Sequence, residues 1–380
     1  MIDFIVVGSG LAGVVVAEQI ASKLNKKVLI IEKRDHIGGN CFDHKDDNNI
    51  LVHKYGPHLF HTNHKEVVDY LSKFTSWDIY NHEVLAYIDG KKVPIPFNLN
   101  TLYEVFPKQK AKILEQKLLE NFEYNSKIPI LELKKSNDED LSFLADFIYE
   151  KIFLNYTAKQ WGMKPEEMDS AVTARVPVFI GRDNRYFNDV YQMVPKDGYA
   201  KMINKMLKHK NIKLMLNTEF KEVCEIKEND FYLFDRKFEG RVIYTGQIDE
   251  LFDYKFGDLP YRSVNMQFET IEKDFYQEKT TVNYPNDYDF TRITEFKHIH
   301  PINTPKTTIL KEYPQEYVRN KNTPYYPIFT NENQNKYNQY LEYSKEFKNL
   351  ILVGRLAEYK YYDMDDIVKR ALEVFKENFK

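Results

Sequence analysis

The alternation of apolar and polar positions at the start of the chain predicts a strand, a helix and a second strand. The apolar run Ile5-Val6-Val7 leads directly into Gly8-Ser-Gly10-Leu-Ala-Gly13, and a second apolar run, Val28-Leu-Ile-Ile31, ends at Glu32. Short apolar runs bounded by glycine are typical of buried strands. The glycine spacing predicts a tight turn at Gly8, a close approach of the backbone to a bound group at Gly10, and tight helix packing at Gly13.

This order of strand, glycine turn, helix, strand and acid indicates a dinucleotide-binding unit. The helix begins where a pyrophosphate would lie, and its partial positive charge favours an anion there. Glu32 is placed to accept hydrogen bonds from the hydroxyls of an adenosine ribose. The following stretch, Arg34-Asp-His-Ile-Gly38-Gly39-Asn40, turns at once and brings two more glycines, which favours FAD over a nicotinamide dinucleotide.

The other end of the chain carries a matching strand and helix. Leu350-Ile-Leu-Val353 indicates a buried strand that ends at Gly354 and Arg355, and residues 363–375 have the apolar spacing of a helix. We expect the amino terminus of that helix to point at the pyrimidine edge of a flavin, where its dipole stabilises negative charge on the reduced ring. Both chain ends would then build one cofactor site.

The middle of the chain predicts two further units. Residues 99–162 are rich in helix formers with helical apolar spacing, interrupted by an irregular connection at 126–140. Alternating apolar and polar residues at 80–93 and 262–326 indicate an antiparallel sheet. Residues 213–220 and 241–246 are expected to rejoin the first sheet.

We therefore expect an α/β fold with α+β insertions, made of discontinuous domains. The Rossmann-like FAD-binding α/β domain takes residues 1–67, 195–250 and 340–380. A helical bundle takes residues 98–167. An antiparallel β-sheet domain for the substrate takes residues 68–97, 168–194 and 251–339. The substrate cleft is expected where the helical bundle and the sheet meet the flavin.

Composition narrows the function classes. The chain has 380 residues, a formal net charge of −3 and 29% charged residues, which suits a multidomain cytoplasmic enzyme with no general attraction to nucleic acid or to an anionic membrane. No apolar run approaches the roughly 20 residues that span a bilayer. Cys41 and Cys224 are the only cysteines, so neither a disulfide framework nor a thiolate cluster is expected. No further group completes a metal site with His58 and His61.

Longer motifs occur in order along the whole chain, after the glycine-rich stretch and residues 34–40. They are Tyr55-Gly-Pro-His58-Leu-Phe-His61-Thr62, Asn155-Tyr-Thr-Ala-Lys-Gln-Trp161-Gly, Thr291-Arg-Ile-Thr-Glu295, Pro324-Tyr-Tyr-Pro327 and Gly354-Arg-Leu-Ala-Glu-Tyr-Lys-Tyr-Tyr-Asp-Met364. Together they resemble the bacterial UDP-galactopyranose mutases. The resemblance implies a three-part fold, usually a homodimer, that interconverts UDP-α-D-galactopyranose and UDP-α-D-galactofuranose and supplies galactofuranose for cell-surface polysaccharide.

The chemistry implied by the resemblance is covalent catalysis by the cofactor. Reduced FAD attacks the anomeric carbon of the sugar through N5, UDP leaves, and the ring closes through a different hydroxyl before UDP returns. The flavin must therefore be reduced first by an external reductant such as NAD(P)H.

The resemblance also implies which residues bind the substrate. Arg175 and Arg292 are the catalytic arginines, whose guanidinium groups hold the diphosphate and stabilise the charge on the leaving group. Tyrosines add hydrogen bonds without adding charge, and an aromatic pair lines the uridine end. The full set of substrate positions is Tyr156, Trp161, Arg175, Tyr186, Asn283, Arg292, Tyr326, Tyr361 and Asp363. Their neighbours Tyr325, Tyr359 and Tyr362 are expected in the core, and Arg182 and Arg185 at the surface.

The cofactor positions come from both ends of the chain. His58 also counts as catalytic, because the resemblance places its turn beside the isoalloxazine, where an imidazole or a carbonyl can influence the proton on N5. The full set is Gly8, Gly10, Leu11, Ala12, Gly13, Glu32, Lys33, Gly39, Asn40, His58, His61, Gly354, Arg355, Asp363 and Met364.

Three points stay open at this stage. Residues 170–184 carry Arg175 between the helical bundle and the sheet and are predicted to form a mobile lid. Ile152 stands where the family often has an aromatic residue, which leaves UDP-N-acetylgalactosamine as an alternative substrate. A flavin-dependent amine oxidase or desaturase would instead produce hydrogen peroxide from an amine, and a non-catalytic nucleotide-sugar-binding protein would bind UDP without isomerising a sugar.

Overall fold

A parallel sheet of five strands forms the centre of the cofactor unit in the computed structural model, which describes residues 2–163 and 177–379. In spatial order its strands are Ile212–Met215, Val28–Ile31, Phe4–Val7, Arg241–Tyr244 and Leu350–Leu352. The first strand of the chain is therefore central, and the strand order reverses beside it. Open sheets of this kind bind ligands at the carboxyl ends of the strands where the order reverses. The prediction of a Rossmann-like unit in an α/β fold is confirmed.

Both faces of this sheet are buried. Val6 and Ile30 belong to the core that also holds the first helix, Leu11–Leu24, and the C-terminal helix, Met364–Asn378. Ile5 and Leu29 point to a second core on the opposite face. Strands covered on both faces are apolar at consecutive positions, which is why the sequence shows continuous apolar runs there.

The helical unit lies between the hairpin at 84–95 and the end of the wall helix, a name we give to Asn155–Trp161. A π-helical turn, Tyr149–Leu154, leads directly into that helix. The other helices of the unit are Leu99–Val105, Lys108–Asn121, Ile130–Leu133 and Glu139–Ile148.

One sequence expectation for the helical unit is wrong. Residues 126–140 were expected to be irregular, but they contain the strand Lys127–Pro129 and the helical turn Ile130–Leu133. Ile130 and Leu133 are buried in the core of the unit. The strand pairs with Pro177–Phe179, a contact between distant segments that local sequence does not reveal.

A second sheet has seven strands, and we call it the substrate sheet after the role that the sequence predicts for it. In spatial order they are Tyr326–Pro327, Tyr261–Ile271, Thr307–Glu316, Arg292–Glu295, Thr281–Asn283, Val84–Ile88 and Lys91–Ile95. The strand signals at 80–93 and 262–326 are confirmed. The sheet is antiparallel except where Thr281–Asn283 pairs in parallel with Val84–Ile88.

Outside these units the described residues form further helices of four to 14 residues and strands of two to five residues. The helices are Lys65–Leu71, Tyr199–Met206, Phe220–Val223, Ile248–Leu251 and Asn331–Ser344, and the strands are Asp43–Lys45, Leu51–His53, Phe60–Thr62, Trp77–Ile79, Tyr191–Pro195, Cys224–Lys227, Asp230–Leu233 and Arg236–Lys237. Within 2–163 and 177–379, no helix combines the length and the apolar character that crossing a membrane requires.

Candidate active site

A cavity of about 520 Å³ opens at the carboxyl ends of the parallel strands. Its floor is backbone. Gly8 has a φ of +97°, and a Cβ on Gly13 would overlap the carbonyl oxygen of Gly8. A Cβ on Gly39 would lie 2.9 Å from the Cα of Gly10, so the two glycine segments touch through their backbones. The bare backbone leaves room for a ligand to approach the start of the first helix.

Most of the expected cofactor residues line this cavity. They are Gly8, Gly10, Leu11, Ala12, Glu32, Lys33, Gly39, Asn40, His58, Gly354, Arg355, Asp363 and Met364. Gly13 lies behind the cavity, in the helix packing. His61 is also absent from the lining: its ring stacks on Phe187 at 3.6 Å, and its Nδ1 lies 3.0 Å from Asp189 Oδ2.

Glu32 is held by the protein at the far end of the cavity. The Ser9 amide and hydroxyl donate to Glu32 Oε2 at 2.8 and 2.7 Å, and the Arg34 amide donates to Oε1 at 2.9 Å. A carboxylate has about four acceptor sites. Glu32 therefore fixes the glycine turn and keeps capacity to accept a ribose hydroxyl.

Arg34 also lines the cavity and was not among the expected site residues. Its Nη2 donates to Asn40 Oδ1 at 2.9 Å, and its guanidinium lies 4.3 Å from the centre of the Tyr55 ring. Its Nη1 is buried without a hydrogen-bond partner in the described residues. A buried donor of this kind is costly unless a ligand satisfies it. The cavity therefore fits an ADP-containing dinucleotide.

Arg292 forms a buried ion pair beside this cavity. Its Nε lies 2.7 Å from Glu312 Oε1, with the Arg292 side chain 26% exposed and the Glu312 side chain 1% exposed. The two residues face each other across neighbouring strands. Burial by itself would lower the pKa of Arg292, but the Glu312 carboxylate outweighs it and raises that pKa well above its usual range. Arg292 is thus a permanent cation with one edge open to the cleft.

Glu312 was missed by the sequence reasoning, although it holds Arg292 in place. A Cβ on Gly56 would lie 3.6 Å from Glu312 Oε1, so the carboxylate lies directly under the turn that carries His58. Nothing in the sequence of its strand, Thr-Thr-Ile-Leu-Lys-Glu-Tyr-Pro-Gln-Glu, marks Glu312 as buried. Only its register with Arg292 reveals the pair.

Aromatic rings surround the open edge of this site. Tyr326 and Tyr361 stack at 5.9 Å, and Trp161 lies 5.9 Å from Tyr326. The Arg355 guanidinium lies 4.8 Å from the Tyr361 ring centre and 5.6 Å from that of Tyr326. Because Arg355 also lines the cofactor cavity, the rings stand where the cavity meets the substrate sheet.

A smaller enclosed space of about 30 Å³ lies at the other end of the site. Tyr156, Tyr186, Asn283 and Ile152 line it. Burial raises the pKa of Tyr156, and the charge of Arg292 opposes that shift. Asn283 Oδ1 is buried and has no hydrogen-bond partner within the part of the chain that the structure describes. The space therefore offers a polar acceptor inside largely apolar walls.

His58 is neutral and fixed. Its ring Nδ1 lies 2.8 Å from the Gly56 carbonyl oxygen, and its amide donates to His53 Nδ1 at 2.9 Å. Burial, and then the charges of Arg355 and Arg292, lower its pKa to about 4. With Nδ1–H donating to the carbonyl, Nε2 is left as an acceptor, on a residue that lines the cavity.

Arg175 lies outside the described residues, as does the part of the expected lid at 170–176. The remainder of that segment is packed against the helical unit. Val178 and Ile180 are buried within the helical unit, and Arg182 is paired with Glu115 at 2.5 Å. Arg185 is paired with Asp183 at 2.6 Å. The strand at 177–179 is therefore part of the core of the helical unit.

The expected core tyrosines are buried, but two of them also line the cofactor cavity. Tyr359 donates to the carbonyl oxygens of Pro260 and Ile328 at 2.7 and 3.1 Å. Tyr325 and Tyr362 are buried as well, and both contribute to the cavity wall. A tyrosine that neighbours a site residue in the sequence can therefore line the cavity as well as pack in the core.

Comparisons with known proteins agree with this geometry. The family model described as UDP-galactopyranose mutase matches residues 151–361, and one described as an NAD(P)-binding Rossmann-like domain matches residues 6–74. A probable UDP-galactopyranose mutase of Klebsiella pneumoniae is 34% identical over 99% of this chain and 94% of its own length. A dTDP-fucopyranose mutase of Escherichia coli is 32% identical over 97% of this chain and 96% of its own length.

The fold has a close counterpart among solved structures. The structure aligns with a crystal structure of reduced UDP-galactopyranose mutase with a TM-score of 0.73 and 15% sequence identity. The alignment covers 99% of this chain and 95% of the mutase chain. Putrescine oxidase has the same fold with a TM-score of 0.59. The dinucleotide cavity, the Arg292 site and the family match lead to one conclusion: the chain belongs to the UDP-galactopyranose mutase family and is a mutase with a dinucleotide-binding domain.

Proposed function

We propose that the protein interconverts UDP-α-D-galactopyranose and UDP-α-D-galactofuranose with the help of reduced FAD. The observation that carries the proposal is the position of Arg292, whose permanent charge stands between the cofactor cavity and a set of aromatic rings. An amine oxidase of the same fold has no use for a buried guanidinium at this point, because its substrate carries no leaving anion.

The glycine floor, Glu32 and Arg34 would hold the ADP half of FAD, and Arg355, Asp363 and Met364 would surround the flavin half. Reduced FAD supplies the nucleophile, N5, for the anomeric carbon of the sugar. The start of the C-terminal helix at Met364 favours negative charge on the pyrimidine edge.

The chain's own contribution is to hold the diphosphate as it departs. Arg292 binds the phosphate oxygens and stabilises the charge that develops on them. Tyr326 and Tyr361 supply hydroxyl donors without further charge, so that UDP is retained but not trapped. Arg175 is proposed, from the resemblance alone, as the second diphosphate arginine.

The nucleotide end would lie against Tyr156 and the neighbouring walls of the enclosed space, whose volume of about 30 Å³ is too small to hold a base unless the walls move apart. The Asn283 amide oxygen is a buried acceptor suited to the N3–H of a pyrimidine, and Trp161 supplies a flat face. His58 would hold its Nε2 acceptor towards the reactive part of the flavin. Closing these walls around the sugar excludes water from the reaction.

Several wider features belong to the same proposal. We infer that an external reductant such as NAD(P)H keeps the flavin reduced. We also infer that the protein acts in the cytoplasm as a homodimer, and that its product supplies galactofuranose for cell-surface polysaccharide.

Specific observations support two alternative substrates. Ile152, in place of a frequent aromatic residue, borders the enclosed space, and a relative with 32% identity is named a dTDP-fucopyranose mutase. A smaller side chain at this wall gives room for the methyl group of thymine. The same change in pocket shape keeps UDP-N-acetylgalactopyranose as the second alternative.

The test is a comparison of three nucleotide sugars with one preparation. Dithionite-reduced protein is given the furanose forms of UDP-galactose, UDP-N-acetylgalactosamine and dTDP-fucose, and pyranose formation is followed by anion-exchange chromatography. We expect kcat/KM for UDP-galactofuranose to exceed the others by about tenfold or more, the discrimination that one group in a pocket provides. A higher value for the thymidine sugar would overturn the assignment of the base, and no turnover of any sugar would overturn the function.

A further inference from the structure

An ammonium group of the wall helix binds one loop of the substrate sheet at three points. Lys159 Nζ donates to the carbonyl oxygens of Tyr284, Tyr288 and Phe290 at 2.6, 2.9 and 3.2 Å. A protonated lysine has three donors and no acceptor, so each donor has its own carbonyl. The 284–290 loop is thus wrapped around the end of one side chain from another unit.

The loop bound by Lys159 lies between two expected substrate residues. It connects the strand that ends at Asn283 with the strand that begins at Arg292. Asn286, at the middle of the loop, accepts from the Asn155 amide at 2.8 Å and donates to the Lys151 carbonyl oxygen at 2.9 Å. The loop is therefore attached to both ends of the segment that enters the wall helix.

A second cation holds the carboxyl end of the wall helix. Arg262, from the longest strand of the substrate sheet, donates from Nε to the Gln160 carbonyl oxygen at 3.1 Å and from Nη2 to that of Lys159 at 3.2 Å. The last carbonyl oxygens of a helix lack hydrogen-bond donors within the helix. Arg262 supplies donors for two of them. Gly162 follows with a φ of +69°, and a Cβ there would lie 2.7 Å from Arg262 Nη1. The helix thus ends directly against the guanidinium.

The helix held in this way carries two expected substrate residues, Tyr156 and Trp161. It is only seven residues long and follows a π-helical turn, so its own hydrogen bonds do little to fix its place. We propose that Lys159 and Arg262 are positioning residues for the nucleotide half of the substrate. They hold the wall helix against the 284–290 loop and so fix its aromatic side chains relative to Arg292. This inference rests on the proposed function.

Lys159 also makes the arrangement sensitive to pH. The charged groups on the elements packed around it are Asp287 and Asp289 in the loop, Lys151 in the preceding turn and Arg262 in the sheet. Burial lowers the pKa of Lys159 to about 8, and the two aspartates oppose that shift only in part. Above that pH the amine keeps two donors for three carbonyls, so one carbonyl loses its partner and the loop is held less firmly.

The experiment uses full-length protein with its bound flavin and three variants. Lys159→Met removes the donors and keeps the length of the side chain, whereas Lys159→Arg keeps a charge that does not titrate near neutrality. Lys151→Met is the matched control. That lysine lies in the turn before the wall helix, and the ion pair that its ammonium forms among the described residues is with Asp89, at 2.9 Å on the surface. UDP binding is measured by tryptophan fluorescence, and turnover by chromatography.

For Lys159→Met we expect the Kd of UDP and the KM of the nucleotide sugar to rise about tenfold, because the loss of one or two hydrogen bonds has this effect. Both kcat and the flavin content should stay close to those of the wild type. Lys151→Met should bind UDP as the wild type does. In the wild type the Kd of UDP should rise as the pH passes about 8, and Lys159→Arg should abolish that rise. The pH comparison keeps the test decisive if the methionine variant does not fold.

Two results separate the possible failures. Wild-type protein that binds no UDP would contradict the proposed function. If the wild type binds UDP, the positioning role alone is overturned by either of two results. One is a Lys159→Met variant with the affinity of the wild type, and the other is a Lys159→Arg variant with an unchanged pH profile.

Discussion

Replacing Arg292 by alanine should destabilise the protein as well as disable it, because the substitution leaves a buried charge behind. The Glu312 side chain is 1% exposed, and Arg292 lies 2.7 Å from it. Removing one partner of a buried ion pair typically costs about 3–5 kcal/mol. Since the Arg292 side chain is 26% exposed and the cleft admits water, we expect about 3 kcal/mol, at the lower end of that range.

The loss is measured by urea unfolding of the wild type and of Arg292→Ala, with flavin fluorescence as the signal. Its cause is checked by neutralising the carboxylate that the substitution leaves without its partner.

A double variant separates stability from catalysis. Arg292→Ala/Glu312→Gln removes the unpaired charge and should recover stability to within about 1 kcal/mol of the wild type. Turnover should remain about 10²- to 10³-fold below wild type in both variants, the usual loss when one stabilising group for a developing anion is removed. Near-normal turnover of the double variant would refute the role of Arg292 on the diphosphate. Unchanged stability of Arg292→Ala would refute the account of the ion pair.

Two further outcomes test the cofactor side. Gly39→Ala places a Cβ 2.9 Å from the Gly10 Cα at a residue with φ +56°, so the purified variant should lack the yellow flavin absorbance, and full flavin content would contradict the backbone contact. Burial lowers the pKa of His58 from 6.5 to about 4, so the unfolded chain binds the extra proton within that interval and the wild type loses stability as the pH falls through it. The His58→Gln variant should lose less stability over the same interval, as measured by urea unfolding, and parallel losses would show that His58 is not held neutral.

Local sequence predicted the elements whose residues pack against neighbours that are close in the sequence or share one core. The two apolar runs around the glycine-rich stretch, and the helical spacing after Asp363, lie within short segments that fold against the same core. The cofactor cavity could therefore be expected from the two ends of the chain. A Rossmann-like unit is recognisable for this reason, because its turn, its helix and its acidic residue are close in sequence.

The parts that escaped prediction depend on pairings between distant segments. Glu312 follows Lys311 in the sequence and looks like any surface carboxylate until the register places it opposite Arg292. Residues 177–179 looked like part of a loop, yet they pair with a strand 50 residues earlier, as the match of Pro177 to Pro129 and Phe179 to Lys127 shows. Lys159 looks like an exposed helical lysine, and only the folded loop brings three carbonyls to it.

The central claim is that the bond between the anomeric carbon and the diphosphate breaks while the protein holds UDP. It is tested most directly with UDP-galactopyranose that carries heavy oxygen in the bond between the sugar and the phosphate. In the reduced protein, phosphorus NMR should show the label moving into the non-bridging positions of the β-phosphate, and oxidised protein should show no movement. Ring contraction with the label still in its original position would contradict the claim.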